Sequence, residues 1–407
     1  MTAFRLPTPG MQPVAIAGGP DGNMWFTAWT LPANAGRPTA AAIGRSTLAG
    51  SIVEFPVPAQ SAGGDITAGP DGNVWFTEPW AHRVGRMTPS GQLTEFALPP
   101  PVAYPWGLTA GPDGNLWIID GYAIHRMTVA GEVTGTFVIP TSATEARDIT
   151  NGPDGALWFT EQGKGKVGRI TTEGIITEFA LPAEDRLPHQ IVSGPDGALW
   201  FAQSQGPGVA RMTTAGALTE FDQYLNVSIA AGPDGDLWFG GVALGIGRMT
   251  TSGEYLGSVG PLHVVSDMAS APDGTLWAAQ GPDGLARITT GPCVPNDTSL
   301  CFGGRFRVRA SWFDFHDGSS GQATAVATSP LSGYFWFSSP NNIEIVAKIL
   351  DGCPVNERGW FFAAGMTRLG VEIEVRDTQT GLYRNYANTP REPFAPIEDT
   401  TAFAVCP

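Results

Sequence analysis

The stretch that decides the fold runs from Gly152 to Phe179 and reads GPDGALWFTEQGKGKVGRITTEGIITEF. Pro153-Asp154-Gly155 has the chemistry of a tight turn: Pro pre-sets φ, Asp bonds back to its own backbone, and Gly accepts φ > 0. An aromatic-rich run (Trp158-Phe159) follows, then Arg169, a T-x-x-G turn at Thr171–Gly174, and the strand-like Thr177-Glu178-Phe179. Outward from this stretch the same G-P-D-G (once A-P-D-G) returns, with its Asp at 21, 71, 113, 154, 196, 234 and 273. Each Asp is followed four residues later by Trp25, Trp75, Trp117, Trp158, Trp200, Trp238 or Trp277. An arginine comes next in every copy: Arg45, Arg86, Arg126, Arg169, Arg211, Arg248 and Arg287. Successive turns lie 38 to 50 residues apart. A unit of that length with four short strands is a propeller blade.

Seven repeats predict an all-β, seven-bladed β-propeller with four antiparallel strands per blade. The last repeat runs out after Arg287-Ile288-Thr289-Thr290, short of its outer strand. Thr2-Ala3-Phe4-Arg5-Leu6-Pro7 resembles the missing piece (compare Thr177–Pro182), so the N-terminal strand is expected to complete the last blade and remove two open edges. The propeller is expected to span residues 1–290.

Residues 291–407 leave the repeat. Alternation is clean in Arg305–Trp312 and Val371–Val375, and further strand-like runs are Tyr334–Phe337, Ile343–Leu350, Trp360–Ala363 and Thr401–Val405. Asp377–Gly381 reads as a hairpin turn. The expectation is a small immunoglobulin-like β-sandwich. All four cysteines, Cys293, Cys301, Cys353 and Cys406, fall here, which predicts two disulfides and an oxidising compartment, extracellular or periplasmic. Cys293 with Cys301 and Cys353 with Cys406 is one of three possible pairings. Residues 1–7 have neither the basic nor the apolar segment of a signal peptide, so an exported protein would be present here in its mature form.

Composition excludes more than it assigns. The 407 residues carry 23 basic and 38 acidic side chains, a formal charge of −15, and only three of the basic residues are lysine. Such a surface does not neutralise a phosphate backbone, so nucleic acid is not an expected partner. No apolar run reaches the roughly 20 residues that span a bilayer. The 53 Gly and 35 Pro residues disfavour long helices.

The unit G-P-D-G-x-x-W-F-T-E … K-V-G-R-I-T-x-x-G-x-I-T-E-F resembles the blade repeat of the virginiamycin B lyase (streptogramin B lyase) family over residues 1–290. That resemblance implies Mg²⁺-dependent elimination across the ester of a cyclic depsipeptide. It also implies a site made of Pro-His at the start of two consecutive blades, a Glu two residues before the second His, and a Glu ending the second strand of that blade. The His slot, seven residues before each turn Asp, holds Val14, Gly64, Trp106, Arg147, His189, Val227 and Ser266 here. The Glu slot, seven residues after it, holds Ala28, Glu78, Asp120, Glu161, Gln203, Gly241 and Gln280. Only Pro188-His189 matches the Pro-His element, with Gln203 as its downstream residue; Glu145 and Glu161 have the family's spacing around Arg147.

Two functions follow as expectations. In the first, the propeller mouth of a secreted protein holds a small molecule or a glycan and the lyase site is degenerate. Trp29, Trp80, Tyr104, Trp106 and Tyr122 would line that mouth, with the loop from Ala28 to Ala41 as a lid. In the second, a rearranged lyase uses Glu78, Asp120 and Glu161, with Glu145, to hold Mg²⁺; His189 is the base and Arg147 the oxyanion partner.

Overall fold

The computed structural model describes all residues except 31–36, 101–103, 143, 224–225, 242–244, 260–263, 282–283, 290–297, 303–304, 338, 340–341, 352, 357, 378–382, 389–391, 393 and 404–407; at 226, 227, 289, 351, 353, 354 and 383 only the backbone is described. Two compact units emerge, Met1–Gly232 with Asp236–Thr289, and Pro233–Gly235 with Thr290–Pro407.

The first unit is built from repeated four-stranded antiparallel sheets of the β-propeller type, seven among the described residues. The fourth is representative: Ala146–Asn151 pairs with Leu157–Glu161, that strand with Lys166–Ile170, and that with Ile176–Ala180. In the last sheet the order is Val264–Ser270, Thr275–Gly281, Gly284–Thr289 and then Thr2–Phe4 from the other end of the chain. Thr2 faces Arg287, Ala3 faces Ala286 and Phe4 faces Leu285. The first strands of the seven sheets touch one another in sequence, and that of the last touches that of the first.

The repeat motif explains each sheet. The turn Asp accepts the indole N–H of the Trp four residues on: Trp158 Nε1 donates to Asp154 at 3.0 Å, and Trp25, Trp75, Trp117 and Trp200 do the same to their own Asp at 2.9 to 3.0 Å. The motif arginine stands opposite the Trp across the strand pair, and Arg45, Arg86, Arg169, Arg211 and Arg287 reach their own turn Asp, at 2.6 Å for Arg169–Asp154 and for Arg211–Asp196. One Trp face carries the Phe of the fourth strand, as in Trp158–Phe179 at 5.3 Å. Phe4 plays this part for Trp277, also at 5.3 Å. The other side of each Trp enters the core shared with the next sheet, as Trp158 does among Ile191, Leu199 and Phe201. Every motif Trp is at most 2% exposed. At Gly174, φ is +91° and any Cβ would meet the Phe137 ring of the preceding sheet, so the T-x-x-G glycine is required twice over.

The second unit has two antiparallel sheets. One runs Leu300–Phe302, Phe306–Phe313, Gly370–Asp377, Tyr383–Ala387, with Ser320–Gln322 also on Phe306–Phe313; the other runs Thr324–Ser329, Ser332–Trp336, Ile345–Asp351, Gly359–Gly365, Ile397–Phe403. One core joins Val308, Ile373 and Val375 of the first with Phe335, Ile349 and Phe361 of the second. Cys301 is buried and disulfide-bonded. Cys293, Cys406, the Cys353 side chain and the expected turn at 378–381 lie outside the described residues.

Candidate functional site

The inner strands of the propeller surround a cavity of about 120 Å³. Its upper lining is the His-slot series, Val14, Gly64, Trp106, Arg147, His189 and Ser266. The threonine of the W-F-T motif positions these residues across sheet boundaries. Thr160 Oγ donates to the His189 carbonyl at 2.7 Å and accepts the Asp148 N–H at 3.2 Å; Thr77 Oγ donates to the Trp106 carbonyl at 3.0 Å and accepts the Asp65 N–H at 2.9 Å. Ser266 Oγ is directed to the carbonyls of Pro13 (3.1 Å) and Ala279 (3.3 Å).

Below them the next residue of each strand forms a second lining that sequence reasoning missed. Asp65, Asp148, Gln190 and Asp267 staple neighbouring sheets. Asp148 accepts the N–H of Ile149 in its own sheet and of Ile191 in the next, both at 2.8 Å. Asp65 does so with Ile66 and Leu108, Asp267 with Met268 and Ile16, and Gln190 Oε1 accepts from Ile229. Burial pushes all three carboxyls up, to about 7 for Asp148 and about 6 for Asp267, and the nearby charges of Asp148 and Asp267 raise Asp65 further. The signal was present: an acid recurs six residues before the turn Asp in three of seven repeats.

Arg147 is half-buried with its guanidinium 4.4 Å from the centre of the Trp106 ring. It makes no hydrogen bond or ion pair with a described residue. Burial pulls its pKa down while Asp148 and Glu145 oppose that, and a guanidinium remains charged. Glu145, two residues before it, is exposed and has φ of 46°, as does Leu187, two residues before His189. Trp106 meets Trp80 edge to face at 5.8 Å, and Trp80 meets Trp29 at 5.6 Å. Three of the five expected aromatics therefore form one arc ending at Arg147. Tyr104 lies beside His82 at 5.4 Å, Tyr122 is 56% exposed, and most of the expected lid, 31–36, lies outside the described residues.

Glu78, Asp120 and Glu161 occupy equivalent positions, but all are at most 1% exposed, each enclosed in its own sheet. Asp120 takes the His125 Nε2 contact at 3.0 Å and the N–H groups of Tyr122 and Ala123, and these outweigh burial to hold its pKa low. Glu78 faces Glu95 and Glu161 faces Glu178, the glutamates of the T-E-F strands. Burial first, then the second carboxylate, raises Glu78 to about 8 and Glu161 to about 7. Both oxygens of each lack a hydrogen-bond donor. In the next sheet Gln203 stands in this place and donates its amide to Glu220 at 3.2 Å. A protonated Glu78 or Glu161 supplies the same donor.

The chain matches the model of the virginiamycin B lyase family over residues 1–144, 35–226 and 120–291. It belongs to the virginiamycin B lyase family. A streptogramin B lyase structure is similar at 30% identity and TM-score 0.62, covering 70% of this chain and 96% of that one. A catalytically inactive virginiamycin B lyase from Staphylococcus aureus with quinupristin is 32% identical with TM-score 0.63, covering 70% and 97%. The extracellular domain of a hybrid two-component system from B. thetaiotaomicron shares the fold at 14% identity and TM-score 0.53, covering 95% of this chain and 53% of that one. None of the curated proteins compared with the chain matches it.

The resemblance implies Mg²⁺. The orphaned oxygens of Glu161 are what a metal ligand would offer, but the adjacent acid, Glu178, is taken by Lys166 at 3.0 Å and by Thr141. Among the described residues no group of three His, Cys, Asp or Glu side chains is placed to hold a metal ion. The donor set here does not fit the metal.

Proposed function

We propose that this member of the virginiamycin B lyase family is an extracellular seven-bladed propeller whose channel mouth binds a small molecule or glycan, with a degenerate lyase site. The seven sheets are its blades, and residues 291–407 form a disulfide-containing β-sandwich appended to them. The observation that carries the reading is the pairing of Arg147 with Trp106 in two consecutive slots where the family pattern calls for Pro-His. A guanidinium does not accept a proton, so the blade with both glutamates at the family's spacing lacks a base. His189 sits one sheet away, above Gln203. An oxidising, extracellular setting is supported by the disulfide at Cys301. Among the described residues no helix is long and apolar enough to cross a membrane.

The test is a ring-opening assay. A streptogramin B depsipeptide incubated with the protein and Mg²⁺ is expected to stay intact by mass spectrometry. Opening that disappears in His189→Ala would overturn the binding reading in favour of the rearranged lyase, since loss of a general base costs roughly 10²–10⁴-fold.

A further inference from the structure

We propose that the channel mouth is built for a small organic carboxylate, its anionic end clamped by Arg147 and its apolar body lying along the Trp106–Trp80–Trp29 arc. This rests on the reading above that the mouth is a ligand site, and it assigns the class of ligand. The guanidinium has five N–H donors in a rigid fork. Half-buried on the Trp106 ring, it gives up part of its hydration and receives no acceptor from the described residues in return. Its place 4.4 Å from the Trp106 ring centre restricts the side chain, which lowers the entropy a bidentate contact would cost. A planar carboxylate is the matching partner.

The acids nearby do not fill that role. The oxygens of Asp65 and Asp148 are turned onto N–H groups of the inner strands, and those of Asp267 accept two such N–H groups and the Gln190 side-chain amide. Burial raises the pKa of all three, and values of about 7 for Asp148 and about 6 for Asp267 leave those two partly neutral near pH 6. Glu145 is exposed at the rim. At the far end of the arc Trp29 contributes its ring, with its Nε1 buried and without an acceptor. The cavity of about 120 Å³ has room for the carboxylate head, and the apolar body lies along the aromatics at its mouth.

Calorimetric titration of the full chain at pH 6 with benzoate and with benzamide, its neutral isostere, tests this. Benzoate is expected to bind more tightly than benzamide by roughly 10-fold or more, and Arg147→Met to weaken benzoate roughly 10- to 100-fold and benzamide far less. Arg147→Lys should retain part of the affinity. The charged groups facing the site are Asp65, Asp148, Asp267, Glu145, His189 and Arg147. Ionisation of Asp148 and Asp267 is expected to make benzoate binding several-fold weaker at pH 8 than at pH 6. If benzamide binds as well as benzoate, the clamp is wrong and the ligand-site reading survives. If neither ligand binds the unmodified protein at millimolar concentration, the carboxylate assignment fails. The ligand-site reading fails with it if a glycan panel also gives no heat. The comparison of the two ligands needs no variant, so a folding defect in Arg147→Met leaves the result decisive.

Discussion

Asp154 satisfies three donors at once: Trp158 Nε1 at 3.0 Å, Arg169 Nε at 2.6 Å and the Ala156 N–H at 3.4 Å. Against its burial, these hold its carboxyl below the usual range, so it is ionised at any working pH. Asp154→Ala strands a fully buried indole N–H and is expected to cost about 1–3 kcal/mol, read as a lower midpoint of denaturant unfolding with an unchanged slope. Asp154→Asn, which keeps an acceptor, should cost less. Sequence reasoning saw Asp154 as a turn residue bonding its own backbone, and Ala156 bears that out. The bond to Trp158 was not legible, because the indole returns to the Asp only once the hairpin has closed.

At the scale of the element, the T-E-F strand does two jobs in each of the three sheets that carry it. Its Phe stacks on the motif Trp, and its Glu faces the residue ending the second strand: Glu95 with Glu78, Glu178 with Glu161, Glu220 with Gln203. A cation completes each, with Arg83 at 2.9 Å, Lys166 at 3.0 Å and Arg186 at 3.1 Å. Because the folded pKa of Glu161 is raised to about 7, the stability of its protonated form is fully present below the unfolded carboxylate value near 4.5 and is lost as pH rises through about 7. Glu161→Gln installs the amide that Gln203 already shows. It is expected to raise stability at pH 8 by about 1 kcal/mol, and to flatten the fall in melting temperature between pH 5 and pH 8. An unchanged pH slope in that variant would show that Glu161 is not the group that loses its proton. Equivalent positions were readable from the repeat. Their enclosure was not, since spacing reports which residues match and not how far the fourth strand covers the second.

On the scale of the whole molecule, the N-terminal strand is decisive. Thr2–Phe4 completes the last sheet, and Phe4 stacks on Trp277. Phe4→Ala is expected to cost roughly 1–3 kcal/mol, and deletion of residues 1–6 to leave an open strand edge. Self-association of the truncated chain, measured by light scattering, checks the second outcome. In the other unit, non-reducing peptide mapping is expected to recover Cys293 joined to Cys301 and Cys353 joined to Cys406; a Cys301–Cys353 peptide would establish a different pairing.

Sequence by itself determined the architecture of the first unit, because a turn, a Trp and an Arg recurring at one phase specify a local sheet that cannot bury its faces alone. Repetition then supplies the partner for each face, and a copied strand at Thr2–Phe4 supplies the last one. Tertiary structure alone decided the site. Asp65, Asp148 and Asp267 lie far apart in the chain and share one channel only because the inner strands converge there. Arg147 lies on Trp106 for the same reason, with a sheet boundary between them. The carboxyls of Glu78 and Glu161 were turned from expected metal ligands into enclosed acids by neighbours one and two strands away. Charge and solvation are set by everything within a few ångströms of a group, and a linear repeat records only part of that surrounding.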